Sequence, residues 1–195
     1  MDAPQVVLLV VGGLLLAGGT VGMFAVGGVS GGPATLYTIA FTPRSEDLPL
    51  DDGAWASPGG SVAFRVTRLN VTEVKVSVSC TDPNPLGGAD VATVTVSVAG
   101  PAGLAGEDSG GCGSDIVVPV KTGTPPEPTT ARGSSPDAAA AGLPPSFTLT
   151  NATGEWTIDI AEQRTQNLPL GGAPSGEVTV TVTSYQPAAQ VQGAK

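Results

Sequence analysis

The chain has no histidine, and its lysines and arginines number only 8 against 17 acids. Without imidazole, the Ser-His and Cys-His arrangements that activate a nucleophile are excluded, and a zinc site loses its commonest nitrogen ligand. A formal net charge of −9 argues against nucleic acid, whose phosphates such a surface would repel, and against adhesion to anionic lipid head groups. Aromatic residues make up only 4% of the chain, and there are two cysteines, not spaced as CxxC, so a redox motif is absent. No GxSxG elbow or glycine-rich phosphate loop follows a candidate strand. Glu155 and Asp159 flank Trp156 in the pattern of a strand's wet face rather than as a catalytic carboxylate pair. The reading is therefore of a protein that is not an enzyme. Helix formers are sparse after residue 30, and no period of 20–50 residues recurs, which sets aside solenoids and propellers.

What is present begins with Val6 to Val29, a run with no charged, amide or histidine side chain. A bilayer core of about 30 Å needs about 20 apolar residues in a helix, so the run is long enough to cross it. A soluble helix of that size would carry a polar face, and none can be drawn. The alternative is a cleaved signal peptide. Against cleavage, residues 1–5 offer Asp2 and no cation and the apolar core is long, although Ala25-Val26-Gly27 is small enough to be cut. Gly18 and Gly22, with Gly13 and Ala17, form small-xxx-small pairs that would let two such helices pack, so self-association or a membrane partner is open. Neither flank is basic, so the positive-inside rule gives no orientation.

Residues 30–34 read as a linker and 35–185 as one domain, followed by a polar tail at 186–195. Abundant Gly and Pro with few aromatics suit short strands joined by turns. Strands are expected at Thr35–Thr42, Ser61–Leu69, Glu73–Cys80, Ala92–Val98, Asp115–Val120, Phe147–Thr150, Trp156–Ile160 and Glu177–Thr183. In the clearest of these Val, Phe or Ile alternates with Ser, Thr or a charge, the period-two mark of antiparallel sheets packed on one side. Leu69-Asn70-Val71 is short enough to join two of them. About eight strands without crossover helices predict an all-β fold, an antiparallel β-sandwich or jelly roll preceded by one N-terminal transmembrane helix. Residues 43–60 read as a turn-rich surface connection, Ala102–Ser114 as loop, and 121–146 as a Pro/Ser/Thr-rich excursion outside the core, a stretch also suited to O-glycosylation.

Cys80, on the inward side of its strand, and Cys112, in a glycine-rich segment, are expected to form a structural disulfide in an oxidising compartment. Asn70-Val71-Thr72 and Asn151-Ala152-Thr153 fit the N-glycosylation sequon. Cysteines and sequons together favour the domain lying outside the cell membrane. Asp82, Asp90 and Asp108 lie in the same turn-rich regions, and carboxylates in turns are calcium's preferred ligands, although no defined loop motif is met and no other cofactor is implied.

Val91–Gly103 (VATVTVSVAGPAG), then Gly154-Glu155-Trp156-Thr157-Ile158-Asp159-Ile160 and Gly176-Glu177-Val178-Thr179-Val180, resemble the jelly-roll accessory domains attached to secreted proteases. These are the proprotein-convertase P domain and the bacterial pre-peptidase C-terminal domain. The resemblance spans about Glu73 to Tyr185 and implies the fold and a stabilising or binding role, with no site residue. The chain departs from those families in having no protease beside it and in the long Pro-rich insertion.

The sequence thus reads as a single-pass, cell-surface β-sandwich acting as a non-catalytic binding or structural module. Its contacts with a protein, envelope or carbohydrate partner would be made by loops Thr81–Asp90 and Ala102–Ser114. Two alternatives share the layout: a pilin-like filament subunit with the apolar helix as fibre core, and an accessory subunit of a membrane protein complex.

Overall fold

The computed structural model describes residues 34–82, 92–164 and 173–192. The expected membrane helix, with Gly13, Ala17, Gly18 and Gly22, lies outside them, and so does Asp90. Among the described residues no helix is long and apolar enough to cross a membrane.

Among the described residues there are ten strands, β1 (Thr35–Leu48), β2 (Ala54–Ala56), β3 (Gly59–Val66), β4 (Val71–Val78), β5 (Thr93–Ala99), β6 (Ala105–Gly111), β7 (Ile116–Lys121), β8 (Thr129–Gly133), β9 (Gly154–Gln163) and β10 (Ser175–Val191), and one short α-helix, α1 (Pro136–Ala141). One sheet runs β7-β4-β10-β1-β8, with β2 also on β10, and the other runs β3-β9-β5-β6. Every pairing is antiparallel. The chain changes sheet at most connections, so the fold is an antiparallel β-sandwich wound in the jelly-roll manner.

The main core lies between the sheets. Val74, Val76 and Val78 of β4 and Val178, Val180 and Val182 of β10 face Val94, Val96 and Val98 of β5 and Trp156, Ile158 and Ile160 of β9. Their alternation buries one side of each strand and leaves Thr, Ser, Lys or Glu on the other, as period two requires. Phe64 stacks on Trp156 at 6.0 Å, and the indole nitrogen of Trp156 donates to the Ala152 carbonyl at 2.9 Å, satisfying its only polar atom in a buried site.

A second, smaller core sits elsewhere on the larger sheet. β1 and β10 pair without interruption from Tyr37↔Val191 to Leu48↔Val180, which carries both strands well past the edge of the smaller sheet. On this extension, flanked by β8, the buried side chains are Tyr37 and Ile39, packed with Phe41, Ala189 and Ala131 under Ala139 of α1 and Leu143. α1 begins at a serine cap, Ser135, whose hydroxyl accepts from the Ala138 amide at 3.1 Å, with Pro136 in its first turn.

Several expectations are corrected here. The segment 121–146 is not a bare excursion: Thr129–Gly133 pairs with β1, and Ala139 is fully buried. The 186–195 tail is strand as far as Val191, because residues 186–191 complete the ladder with β1. Within 43–60, β1 continues to Leu48 and β2 buries Trp55. Phe147–Thr150 is not a strand, since Pro144 and Pro145 lead into a single 3-10 turn at Pro145–Phe147. Leu69-Asn70-Val71 does not close a hairpin, because β3 and β4 lie in different sheets and Asn70, at φ 61°, turns the chain from one to the other.

Ala102–Ser114 is mostly strand rather than loop. β6, sequence AGEDSGG, has no apolar alternation because its inward positions are Gly106, Asp108 and Gly110. A side chain at Gly106 would stand 2.9 Å from Val118 and 3.0 Å from Val120, and one at Gly110 would stand 3.1 Å from Ile116. The glycines let the edge strands of the two sheets approach, and inward-facing Asp108 and Pro119 of β7 leave those edges poor templates for further pairing.

Candidate functional site

The two cysteines meet. Cys80 and Cys112 are bonded, with Cα atoms 4.7 Å apart, joining the end of β4 in one sheet to the β6–β7 turn beside the other. Main-chain bonds reinforce the tie: Gly113 N–H to Cys80 O at 2.9 Å and Cys112 N–H to Ala92 O at 3.3 Å. Closing a loop of 32 residues' separation restricts the unfolded chain by about 3–4 kcal/mol in the chain-entropy picture.

Around this end the chain is closely fitted. The Trp55 indole donates to Ser79 O at 2.9 Å, and Ser175 pairs with Thr81 in an isolated bridge. Gly176 packs so tightly that an added Cβ would lie 1.9 Å from Ser79 O. Beside it opens a groove of about 330 Å³ lined by Asp51, Asp52, Trp55, Gly59, Gly60 and Ser61 among others. The smaller sheet's outer face has a shallower hollow, where Asp159, Ser97 and Glu107 stand in one row across three strands and the Ser97 hydroxyl meets Glu107 at 2.8 Å. Glu155, on the same wet face, pairs with Arg65 at 3.4 Å, both exposed.

Of the acids named for calcium, Asp82 and Asp108 lie among the described residues and Asp90 does not. Asp108 lies on β6, with a carboxylate oxygen accepting from the Ser109 amide at 2.9 Å, and Asp82 follows β4 at the disulfide end. Among the described residues no group of three His, Cys, Asp or Glu side chains is placed to hold a metal ion.

The sequon asparagines have structural work that sequence reading missed. Asn70 is half-buried and exchanges bonds with Leu149 at both amide nitrogen (2.8 Å) and side-chain oxygen (3.0 Å), while its carbonyl accepts from Tyr185. Asn151 is exposed, and its side-chain nitrogen donates to Thr122 O. Thr122 in turn donates to Val71 O at 2.6 Å, and Thr153 to Arg68 O at 3.3 Å. Together the two sequons strap residues 148–153 across the waist of the sandwich. The only advance signal is that Asn tolerates positive φ and bonds main chain readily.

One further polar cluster was not foreseen. The Glu162 side chain is 3% exposed and carries an ion pair with Arg164. Burial raises its pKa, but hydrogen bonds from Ser57 and Arg164, with the guanidinium charge, outweigh that and hold it below the ordinary carboxylate value of 4.5.

No protein-family model matches the chain, and no curated protein matches it. Among solved structures it is similar to infectious bursal disease virus, Gx strain, at 12% identity and a TM-score of 0.32, over 78% of this chain and 33% of that one. It is also similar to the Aeromonas sobria serine protease in complex with its chaperone, at 10% identity and a TM-score of 0.33, over 76% of this chain and 27% of that one. A third is a marine algae virus of the order Picornavirales, at 10% identity and a TM-score of 0.27, covering 78% and 70%. The chain thus spans about a third or less of the first two, and so loose an overlap says nothing about a site.

Proposed function

We propose that the protein is a single-pass, membrane-anchored module whose β-sandwich stands outside the membrane and makes non-catalytic contacts with a protein, envelope or carbohydrate partner. The observation that carries this reading is polarity of layout. β1 starts six residues after the uncharged run Val6–Val29, at one end of the domain. The disulfide and Thr81, which opens the Thr81–Asp90 loop, sit by the other end of β10, whose 17 residues measure about 55 Å along the strand at about 3.3 Å per residue. An anchor at the first end presents the loops at the second. The disulfide supports an oxidising compartment. Of the three segments that carry the likeness to protease accessory domains, those on β5 and β9 are paired neighbours and the third lies on β10 in the other sheet, as one sandwich would have them.

Two measurements test the reading. In native membranes the chain is expected to resist extraction by alkaline carbonate, and protease added outside intact cells is expected to remove the β domain. Release by carbonate, or protection from outside protease, overturns it. Mild-detergent sizing with mass spectrometry then separates a lone surface module from a filament subunit or a member of a larger complex.

A further inference from the structure

The free end of the β8-β1-β10 extension differs from the rest of the surface in charge and polarity. Residues 34–42 (ATLYTIAFT) and 186–192 (QPAAQVQ) contain no charged side chain, and β8 contains one, Arg132. The nearest acids in sequence are Glu127, two residues before β8 at its end away from the tip, Asp137 of α1 and Glu46 of β1, so the tip itself carries no acid in a chain of net charge −9. Of the large apolar side chains exposed among the described residues, two are here: Leu36, 37% exposed, and Val191, 63% exposed. They are neighbours at the tip, where the Gln192 amide donates to Leu36 O at 3.2 Å and Val191 stands opposite Tyr37. By alternation they point to opposite faces of the ribbon, and Arg132 lies across from Leu36.

We infer that this tip rests in the head-group layer of the bilayer, with Leu36 and Val191 entering the interface from either face and Arg132 at the phosphates. The inference rests on the membrane-anchored reading. Six chain steps separate Val29 from Thr35, so the tip stands no more than about 20 Å from the end of the apolar run even when that linker is fully extended. A neutral end with exposed apolar side chains suits the head-group and acyl boundary, where an acidic surface would be repelled. The contact makes the ribbon a foot that sets the tilt of the sandwich on the membrane.

The test uses the full-length chain reconstituted in phosphatidylcholine vesicles with and without lipids brominated near the head group. Val191→Trp supplies the reporter, read as the increase in quenching over the wild-type chain, and Val117→Trp on the outer face of β7 is the control. An interfacial tip predicts loss of about half of the added Val191→Trp fluorescence and little loss at residue 117. Equal quenching at the two positions, in a chain that carbonate leaves in the vesicles, overturns the foot and leaves the anchor standing. Extraction by carbonate overturns both.

Discussion

The two halves of the larger sheet are built from the same two strands, yet they bury opposite faces. Toward the disulfide, β10 buries Val178, Val180 and Val182 against the smaller sheet and leaves Thr179, Thr181 and Thr183 outward. Toward the tip the outward face becomes the covered one: Tyr37 and Ile39 on β1 are buried beside Ala139 of α1, with Phe41 and Ala189 partly buried next to them, and Tyr185 on β10 is buried against Phe41. The register between β1 and β10 is continuous throughout, so the side-chain rotation never changes; what changes is which layer covers the sheet. A strand does not have an inside until something packs on it. The bulge at Thr183/Ser184, where β4 departs from regular pairing with β10, marks the changeover.

The halves also differ in what they are worth, and four measurements break or sharpen the contrast. Trp156→Ala removes the largest fully buried side chain described in the main core and is expected to cost about 3–5 kcal/mol in urea unfolding. Replacing Cys80 and Cys112 together by serine is expected to cost about 3–4 kcal/mol, lowering the urea midpoint, and reductant should no longer alter the mutant. Ile39→Ala empties the smaller core and is expected to cost about 2 kcal/mol. Its diagnostic is amide exchange: protection should fall in residues 35–42, 129–141 and 185–191 while β3, β5 and β9 keep theirs. Equal loss everywhere would mean that the two halves open as one cooperative unit.

The smallest effect concerns acid. Because Glu162 has its folded pKa held below the ordinary value, its contribution is present above about pH 4.5 and is lost as pH falls through the lower folded value. Thermal unfolding of Glu162→Gln should therefore lie below wild type at pH 7 and converge with it toward pH 3. A gap that persists at pH 3 would show that the glutamine disturbs packing rather than the ion pair with Arg164.

The same contrast governs what could be read from the sequence. β3, β4, β5, β9 and the first half of β10 announce themselves because a constant partner layer selects valine or isoleucine at every second residue. β6 hides because close approach to Val118 and Val120 demands glycine where an apolar residue would have been the signal. β8 and α1 hide because a short cover needs only Ala131, Ala139 and Leu143 to be apolar, too few to show a period. Residues 186–191 were legible as polar but not as strand, since Gln, Pro and Ala carry no β signature and their place is fixed by pairing with β1. Trp55 was concealed by the turn residues around a strand of three. Of the candidate site, the disulfide partners were recoverable because there were only two. The bracing done by Asn70 and Asn151 was not, since it depends on a segment 79 residues away in the first case and 29 in the second.

The unbroken β1–β10 ladder has a mechanical side as well. Twelve residue pairs join the strands, and β1 enters at the tip end of the ladder. A tug on Ala34 along the axis of β1, resisted at the far end of the sandwich, loads those rungs side by side in shear instead of peeling them open one after another. The domain is thereby built to hold its shape under traction from its N-terminal side, with β10 serving as the beam against which β1 would have to slide.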